Sequence, residues 1–314
     1  MNLTEEFGAP PFTVLDARQG YWQKRKRQWL QSGISSEQGR GKDLMDGFSG
    51  TCTSLGHKDT SIFDPVLCEI LIRWFSPFRG LILDPFAGGS VRGIVSAKLG
   101  REYIGIDVRQ EQIEENYRQS NTLSNGEKDL VSWIQGDSAI TLDSINSVAD
   151  FLFSCPPYYD LEVYSDHPSD LSSASNYDLF LSKYREIIRK ACGLLENNSF
   201  ACFVVGDIRD KSTGVYRDFT GDTKRAFLDC GLHLYNDAVL ITAVGSASMR
   251  ANRFFTGSRK MVKTHQNVLV FVKGSWKKAT QRMKFDYRQT WAPEPEIPEP
   301  EIQWLPGLNG VLTA

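Results

Sequence analysis

An apolar run of the chain ends in Phe153-Ser154-Cys155-Pro156-Pro157-Tyr158-Tyr159-Asp160. Consecutive prolines stop a β-ladder and fix the backbone, so the preceding carbonyls cannot rotate away. Fixed acceptors can hold a substrate amino group, and Tyr158 offers a flat face on which a base stacks. The competing reading is a rigid proline turn with a core tyrosine. A second chemical run lies upstream, where Leu81-Ile82-Leu83-Asp84-Pro85-Phe86-Ala87-Gly88-Gly89-Ser90 takes an apolar strand into a glycine turn. Glycines let the backbone turn sharply and approach a ligand closely. Asp107 ends the next apolar segment 23 residues after Asp84, where an acid accepts hydrogen bonds from ribose hydroxyls. Asp137 ends the following one, in Gly136-Asp137-Ser138. These acids could instead cap the helices that follow them. The turn lacks GxGxxG spacing, and no phosphate-loop GxxxxGK sequence is present, so an adenosine ligand without phosphates fits best.

The elements that must carry these residues alternate regularly between Ser61 and Gly274. Apolar patterning predicts strands at Leu81–Asp84, Tyr103–Val108, Ser132–Asp137, Asp150–Cys155, Phe200–Asp207, Leu234–Ala243 and Asn267–Lys273. Helices are expected at Asp64–Phe75, Val91–Leu99, Gln110–Gln119, Tyr177–Leu195 and Asp218–Asp229, with a short one near Tyr21–Leu30. Strands alternating with helices imply an α/β fold, a mostly parallel seven-stranded sheet covered on both faces. Only a loop is expected between the last two strands, which makes them an antiparallel pair. The chain then divides into a basic extension (1–58), a central domain (59–275) and a polar Pro/Glu-rich tail (276–314).

With 314 residues, 41% hydrophobic and 24% charged, the composition is that of a soluble globular protein. There is no apolar stretch of membrane-spanning length and no signal-peptide pattern at the start, so the expected location is the cytoplasm. The six cysteines form no CxxC pair, and four scattered histidines do not make a metal site. No metal is expected. Cys68, Cys192 and Cys202 read as small core residues. The net charge of −2 conceals two basic segments. Lys24, Arg25 and Arg27 lie between Trp22 and Trp29, and Arg250, Arg253, Arg259, Lys260 and Lys263 lie in an acid-free stretch, 245–263, containing Phe254 and Phe255. Cations interleaved with aromatics suit a nucleic acid whose bases can stack, the alternative being solvated helix faces.

An Asp-Pro-Phe-Ala-Gly-Gly turn followed by a Pro-Pro-Tyr strand end resembles the S-adenosylmethionine-dependent DNA amino-methyltransferases, which methylate N6 of adenine or N4 of cytosine. The resemblance spans about Asp59 to Gly274, and the chain is similar to phage and prophage members with a Cys-Pro-Pro-Tyr motif. It implies a Rossmann-like class I methyltransferase fold and S-adenosylmethionine as cofactor. It places Thr60, Ser61 and Phe63, with Asp84, Phe86, Ala87 and Gly88, at the methionine part of the cofactor, and adds Pro85, Gly89 and Val108 to the cofactor-binding residues. Asp107 falls at the ribose, and Asp137 and Ser138 at the adenine. Lys263-Thr264-His265-Gln266-Asn267 resembles the start of the family's late strand. Cys155, Pro156, Pro157 and Tyr158 become the catalytic motif, with Cys155 standing where Asp, Asn or Ser is usual. Sulfur is a weak acceptor, which shifts work to the Pro156 carbonyl, with Asp160 as a possible helper.

The implied substrate is double-stranded DNA with the target base flipped out, in a bacterial or phage modification enzyme of restriction-modification type. Inserts near 159–176, 208–220 and 245–263 are expected to recognise the target. The first holds a candidate lid at Leu161–Asp166. Arg209, Lys211 and Arg217 of the second join the basic segments as phosphate contacts. His265 reads as structural. The alternatives are methylation of RNA or a protein glutamine amide, a cysteine nucleophile at Cys155, and a silent nucleic-acid-binding subunit of the same fold.

Overall fold

The computed structural model describes residues 3–34, 63–161, 170–245 and 247–283. Ten strands are present among them: β1 (Val14–Asp16), β2 (Leu81–Asp84), β3 (Glu102–Asp107), β4 (Val131–Gln135), β5 (Ala149–Ser154), β6 (Leu195–Val205), β7 (Ile208–Arg209), β8 (Tyr216–Arg217), β9 (His233–Ile241) and β10 (His265–Lys273). Eight form one sheet in the order β1-β9-β10-β6-β5-β2-β3-β4. Only β10 runs against its neighbours, β6 and β9; the other pairings are parallel. The antiparallel last pair is therefore as expected. The seven expected strands gain an eighth, because β1 pairs parallel to β9 at the edge.

Side chains alternate across the sheet with period two and so sort themselves between two cores. Phe151, Phe153, Cys202 and Val204 face the layer built by the Pro65–Phe75 and Val91–Lys98 helices. Leu152, Phe203 and Val205 face the layer of the Tyr177–Leu194 and Phe219–Asp229 helices. Cys68, Cys192 and Cys202 are buried.

Three expectations need correction. The segment 1–58 is not a free basic extension over its described part: the Gly20–Gln31 helix packs on the Pro65–Phe75 helix with Trp22 and Trp29 fully buried. Their indole nitrogens donate to Asp64 Oδ1 at 3.2 Å and Glu69 Oε2 at 2.7 Å, so these rings serve the core and cannot stack on bases. The connection between β9 and β10 contains a 12-residue helix, Ala247–Ser258, rather than a loop. Ala247 alone is buried in it, so no apolar stripe announces it. The start of the supposed tail is also helical: Trp276–Arg282 packs Ala279 and Met283 into the first core. Thr60, Ser61, Glu162 and Tyr164 lie outside the described residues, as does most of the lid expected at Leu161–Asp166.

Candidate active site

From β2 the chain steps outward through β3 to β4, then returns to β5 beside β2 and continues to β6. At such a switch point the loops after the two central strands part and leave a crevice at the carboxyl ends of the strands. A cavity of about 1100 Å³ opens there. Its wall includes Phe63, Pro85, Phe86, Gly88, Gly89, Asp107, Val108, Asp137 and Ser138 on one side, and Cys155, Pro156, Pro157 and Tyr158 on the other. Two sets of residues that are far apart in sequence thus share one space.

Asp84 and Ala87 are fully buried and absent from that wall. Asp84 Oδ2 accepts from Arg92 Nε at 2.5 Å and Tyr103 Oη at 2.8 Å, and Oδ1 from Ser154 Oγ at 2.5 Å and the Phe86 amide at 3.1 Å. The carboxylate expected to touch the cofactor instead ties β2, β3, β5 and the turn together. Arg92 also donates to the carbonyls of Phe86 and Ala87, both at 2.8 Å, so the turn closes around its guanidinium.

Gly88 takes φ +51°, and a Cβ there would meet nothing within 4 Å, which leaves open space above the turn. Its amide donates to Asp107 Oδ2 at 3.0 Å, while the Arg109 amide reaches Oδ1 at 2.9 Å. Burial raises the Asp107 pKa despite the lowering pull of those amides and Arg109. Gly88 also offers its carbonyl to Asn116 Nδ2 at 2.7 Å; Asn116 is held by Gln112 at 2.9 Å, and Gln112 by Arg109 at 2.6 Å. This buried chain of amides positions the turn. It was missed from sequence, although Gln112, Asn116 and Gln119 stand at i, i+4 and i+7 on a face where apolar residues would be usual. Asp137 caps a short helix through the Ala139 amide at 2.9 Å and also lines the cavity. Ser138 Oγ donates to the Pro85 carbonyl at 2.6 Å.

At the other wall, Tyr158 Oη accepts from Gln266 Nε2 at 3.2 Å and donates to the Val204 carbonyl at 3.4 Å, with Cys155 Sγ 3.7 Å away. Asp160 is not on the cavity wall, since Lys211 Nζ holds its carboxylate at 3.3 Å and its carbonyl at 2.5 Å; its suggested helping role is not supported. Lys263, which lines the cavity, sits 3.9 Å from Asp207, and burial lowers its pKa although Asp207 pulls upward.

The basic candidates differ in where the fold puts them. Arg209, Arg250 and Lys260 line the cavity mouth; Arg253 and Arg259 are exposed beyond it, Arg259 lying over the Phe255 ring at 5.3 Å. Lys24 and Arg27 are exposed on the N-terminal helix away from the cavity. Arg25 is engaged by Glu69 through two bonds of 2.7 and 2.8 Å. Lys26, not singled out from sequence, reaches the cavity and pairs with Asp64 at 3.2 Å. Arg217 is taken up by Asp210 and by the faces of Tyr159 and Tyr177. His265, read as structural, lines the cavity. Among the described residues no His/Cys/Asp/Glu cluster has metal-site geometry, and no helix is long and apolar enough to cross a membrane.

Residues 14–118 match the model of a family described as DNA methylase, the N6/N4 group. The chain is 30% identical over 105 residues to the Type II methyltransferase M2.DpnII of Streptococcus pneumoniae, and equally to M2.LlaDCHI of Lactococcus lactis subsp. cremoris. The match covers 32% of this chain and 38% of either relative. A solved structure of TrmN from Thermus thermophilus is similar over 67% of this chain and 49% of its own, with 15% identity and a TM-score of 0.46. The matched segment starts at β1 and ends in the Gln110–Gln119 helix. It therefore contains the glycine turn and Asp107 but stops before Cys155.

Proposed function

We propose that the chain transfers a methyl group from S-adenosylmethionine to an exocyclic amino group of a DNA base, N4 of cytosine or N6 of adenine, with the base flipped out of a duplex and in a sequence-specific manner. The observation that carries the reading is the shared cavity, which joins the glycine turn and Asp107 to Cys155, Pro156, Pro157 and Tyr158. The residues fit the cofactor. An acid at the end of β3 suits ribose hydroxyls, the turn is open above Gly88, and the buried arginine nearby, Arg92, is already neutralised by Asp84 rather than waiting for a phosphate. When bound, the cofactor supplies an electrophilic methyl on a sulfonium.

The protein's own contribution is positioning. A base amino group is a poor nucleophile because its lone pair is delocalised into the ring. Acceptors that bind its hydrogens aim that lone pair, and the Pro156 carbonyl, fixed by Pro157, is the strong one here. Cys155 Sγ is a weaker second acceptor. Tyr158 supplies the stacking face, its ring held in place by Gln266 and Val204. The gain comes from orientation and a pre-organised polar environment, with no covalent intermediate. Cytosine-C5 enzymes place cysteine after proline, the reverse of the order here, so a Cys155 nucleophile is not favoured.

The test is transfer of labelled methyl to unmethylated DNA followed by nucleoside mass spectrometry. A new N4-methylcytosine or N6-methyladenine peak is expected. Cofactor binding with no methyl on duplex or single-stranded DNA would redirect the assignment to RNA or protein, and no cofactor binding at all would leave a silent subunit.

A further inference from the structure

At the cavity mouth stands a hairpin that the reaction as described does not use. It is made by β7 and β8, in which Arg209 pairs directly with Tyr216. The Arg209 guanidinium lies 3.7 Å from the centroid of the Tyr216 ring and donates to the Gly214 carbonyl at 3.0 Å. Both residues line the cavity, yet Tyr216 is 44% exposed. A large ring with one face covered by a cation and the rest open to a cavity leaves much apolar area in contact with water, which a stacked partner would remove.

The hairpin is braced. Asp210 Oδ1 accepts from the Ser212 amide at 2.9 Å, Ser212 Oγ at 2.5 Å and the Thr213 amide at 2.8 Å, which builds the turn. Asp210 also pairs with Arg217, and Arg217 lies over Tyr159 at 5.3 Å and Tyr177 at 4.8 Å. Tyr216 is thus anchored, through its neighbour, to the turn that carries Tyr158. Lys260 sits against Gly214 from the other side: a Cβ at Gly214 would be 2.5 Å from Lys260 Nζ. Arg250 and Lys260 line the same cavity and add positive charge to its wall.

We propose that Tyr216 is a second base-binding position, a stacking platform for the nucleobase flanking the target. This rests on the DNA reading above. When the target base leaves the stack, its neighbour loses one stacking partner, and Tyr216, backed by Arg209, supplies the replacement face. Arg209 is then a support for the ring rather than the phosphate contact expected from sequence.

The experiment uses the full chain with S-adenosylhomocysteine and duplex DNA carrying 5-iododeoxyuridine in place of thymidine. Irradiation and peptide mapping should place a crosslink at Tyr216, because that photoproduct forms with aromatic rings in stacking contact. In steady-state assays Tyr216→Ala should raise KM for DNA by roughly 5- to 150-fold, the range of one lost base–aromatic stack, with unchanged cofactor affinity. Tyr216→Phe should restore binding, since stacking needs the ring and not the hydroxyl. Crosslinks confined to other residues, or a Tyr216→Ala enzyme with wild-type KM for DNA, would overturn the platform while leaving the methyl-transfer reading intact. A wild-type chain that neither binds nor methylates DNA would overturn both.

Discussion

Asp84→Asn separates a cofactor ligand from a scaffold residue. The carboxylate has no exposed surface, and its partner Arg92 is 4% exposed. Asparagine keeps the size but removes the charge and sets an amide N–H₂ among four donors. Arg92 is left buried and cationic, held by the Phe86 and Ala87 carbonyls and the face of the Phe63 ring. Breaking one side of a buried ion pair costs about 3–5 kcal/mol. For a chain of this size that corresponds to a fall of roughly 5–8 °C in Tm. Thermal unfolding without cofactor should show the whole loss. Tyr103→Phe and Ser154→Ala, each removing one donor, should cost about 1 kcal/mol apiece. A double variant, Asp84→Asn with Arg92→Met, should recover part of the loss because it removes the stranded charge. An Asp84→Asn protein with wild-type Tm but much weaker S-adenosylmethionine binding would refute the reasoning, since the carboxylate would then face the ligand.

Three further outcomes are expected. Cofactor affinity should fall as pH drops through the raised pKa of Asp107, because protonation removes an acceptor, and Asp107→Asn should bind weakly and without that dependence when followed by titration calorimetry. The same shift has a stability sign: the folded state holds this proton more tightly than the unfolded chain, so ionised Asp107 lowers stability above its folded pKa and the cost disappears below the unfolded value. Cys230, whose sulfur is hydrogen-bonded by Cys192, has its pKa lowered to about 7, so iodoacetamide labelling should rise around neutral pH while buried Cys202 stays inert; Cys192→Ala should move that rise to higher pH. Arg25→Ala should cost about 1.5–3 kcal/mol in stability by releasing Glu69, without changing the salt dependence of DNA binding, whereas a slope reduced by about one would mean that Arg25 contacts phosphate.

Gly93 shows how little of the fit behind the site is visible locally. A Cβ at this helical position would lie 2.5 Å from Trp133 Cζ2, so the Val91–Lys98 helix that follows the glycine turn reaches its place only because residue 93 has no side chain. The strand and the turn were legible, but the packing partner 40 residues away was not.

The sequence by itself determined the strand–helix alternation, the glycine turn after β2, the acids at the ends of β3 and β4, and the Pro-Pro-Tyr stop after β5. These are local properties: hydrophobic period, proline and glycine stereochemistry, and capping act within a few residues and survive any context. Tertiary structure decided which polar groups remain available. Asp84 is taken up by Arg92, Tyr103 and Ser154, the last 70 residues away, and Arg25 by Glu69, 44 residues away. Trp22 and Trp29, which read as base-stacking aromatics, became core, while Tyr216, which attracted no notice, stands open at the cavity mouth. A charge or ring has the same letter whether it is buried or free. Its fate depends on which partners the sheet order and register bring within hydrogen-bonding distance, and that is a property of the whole fold.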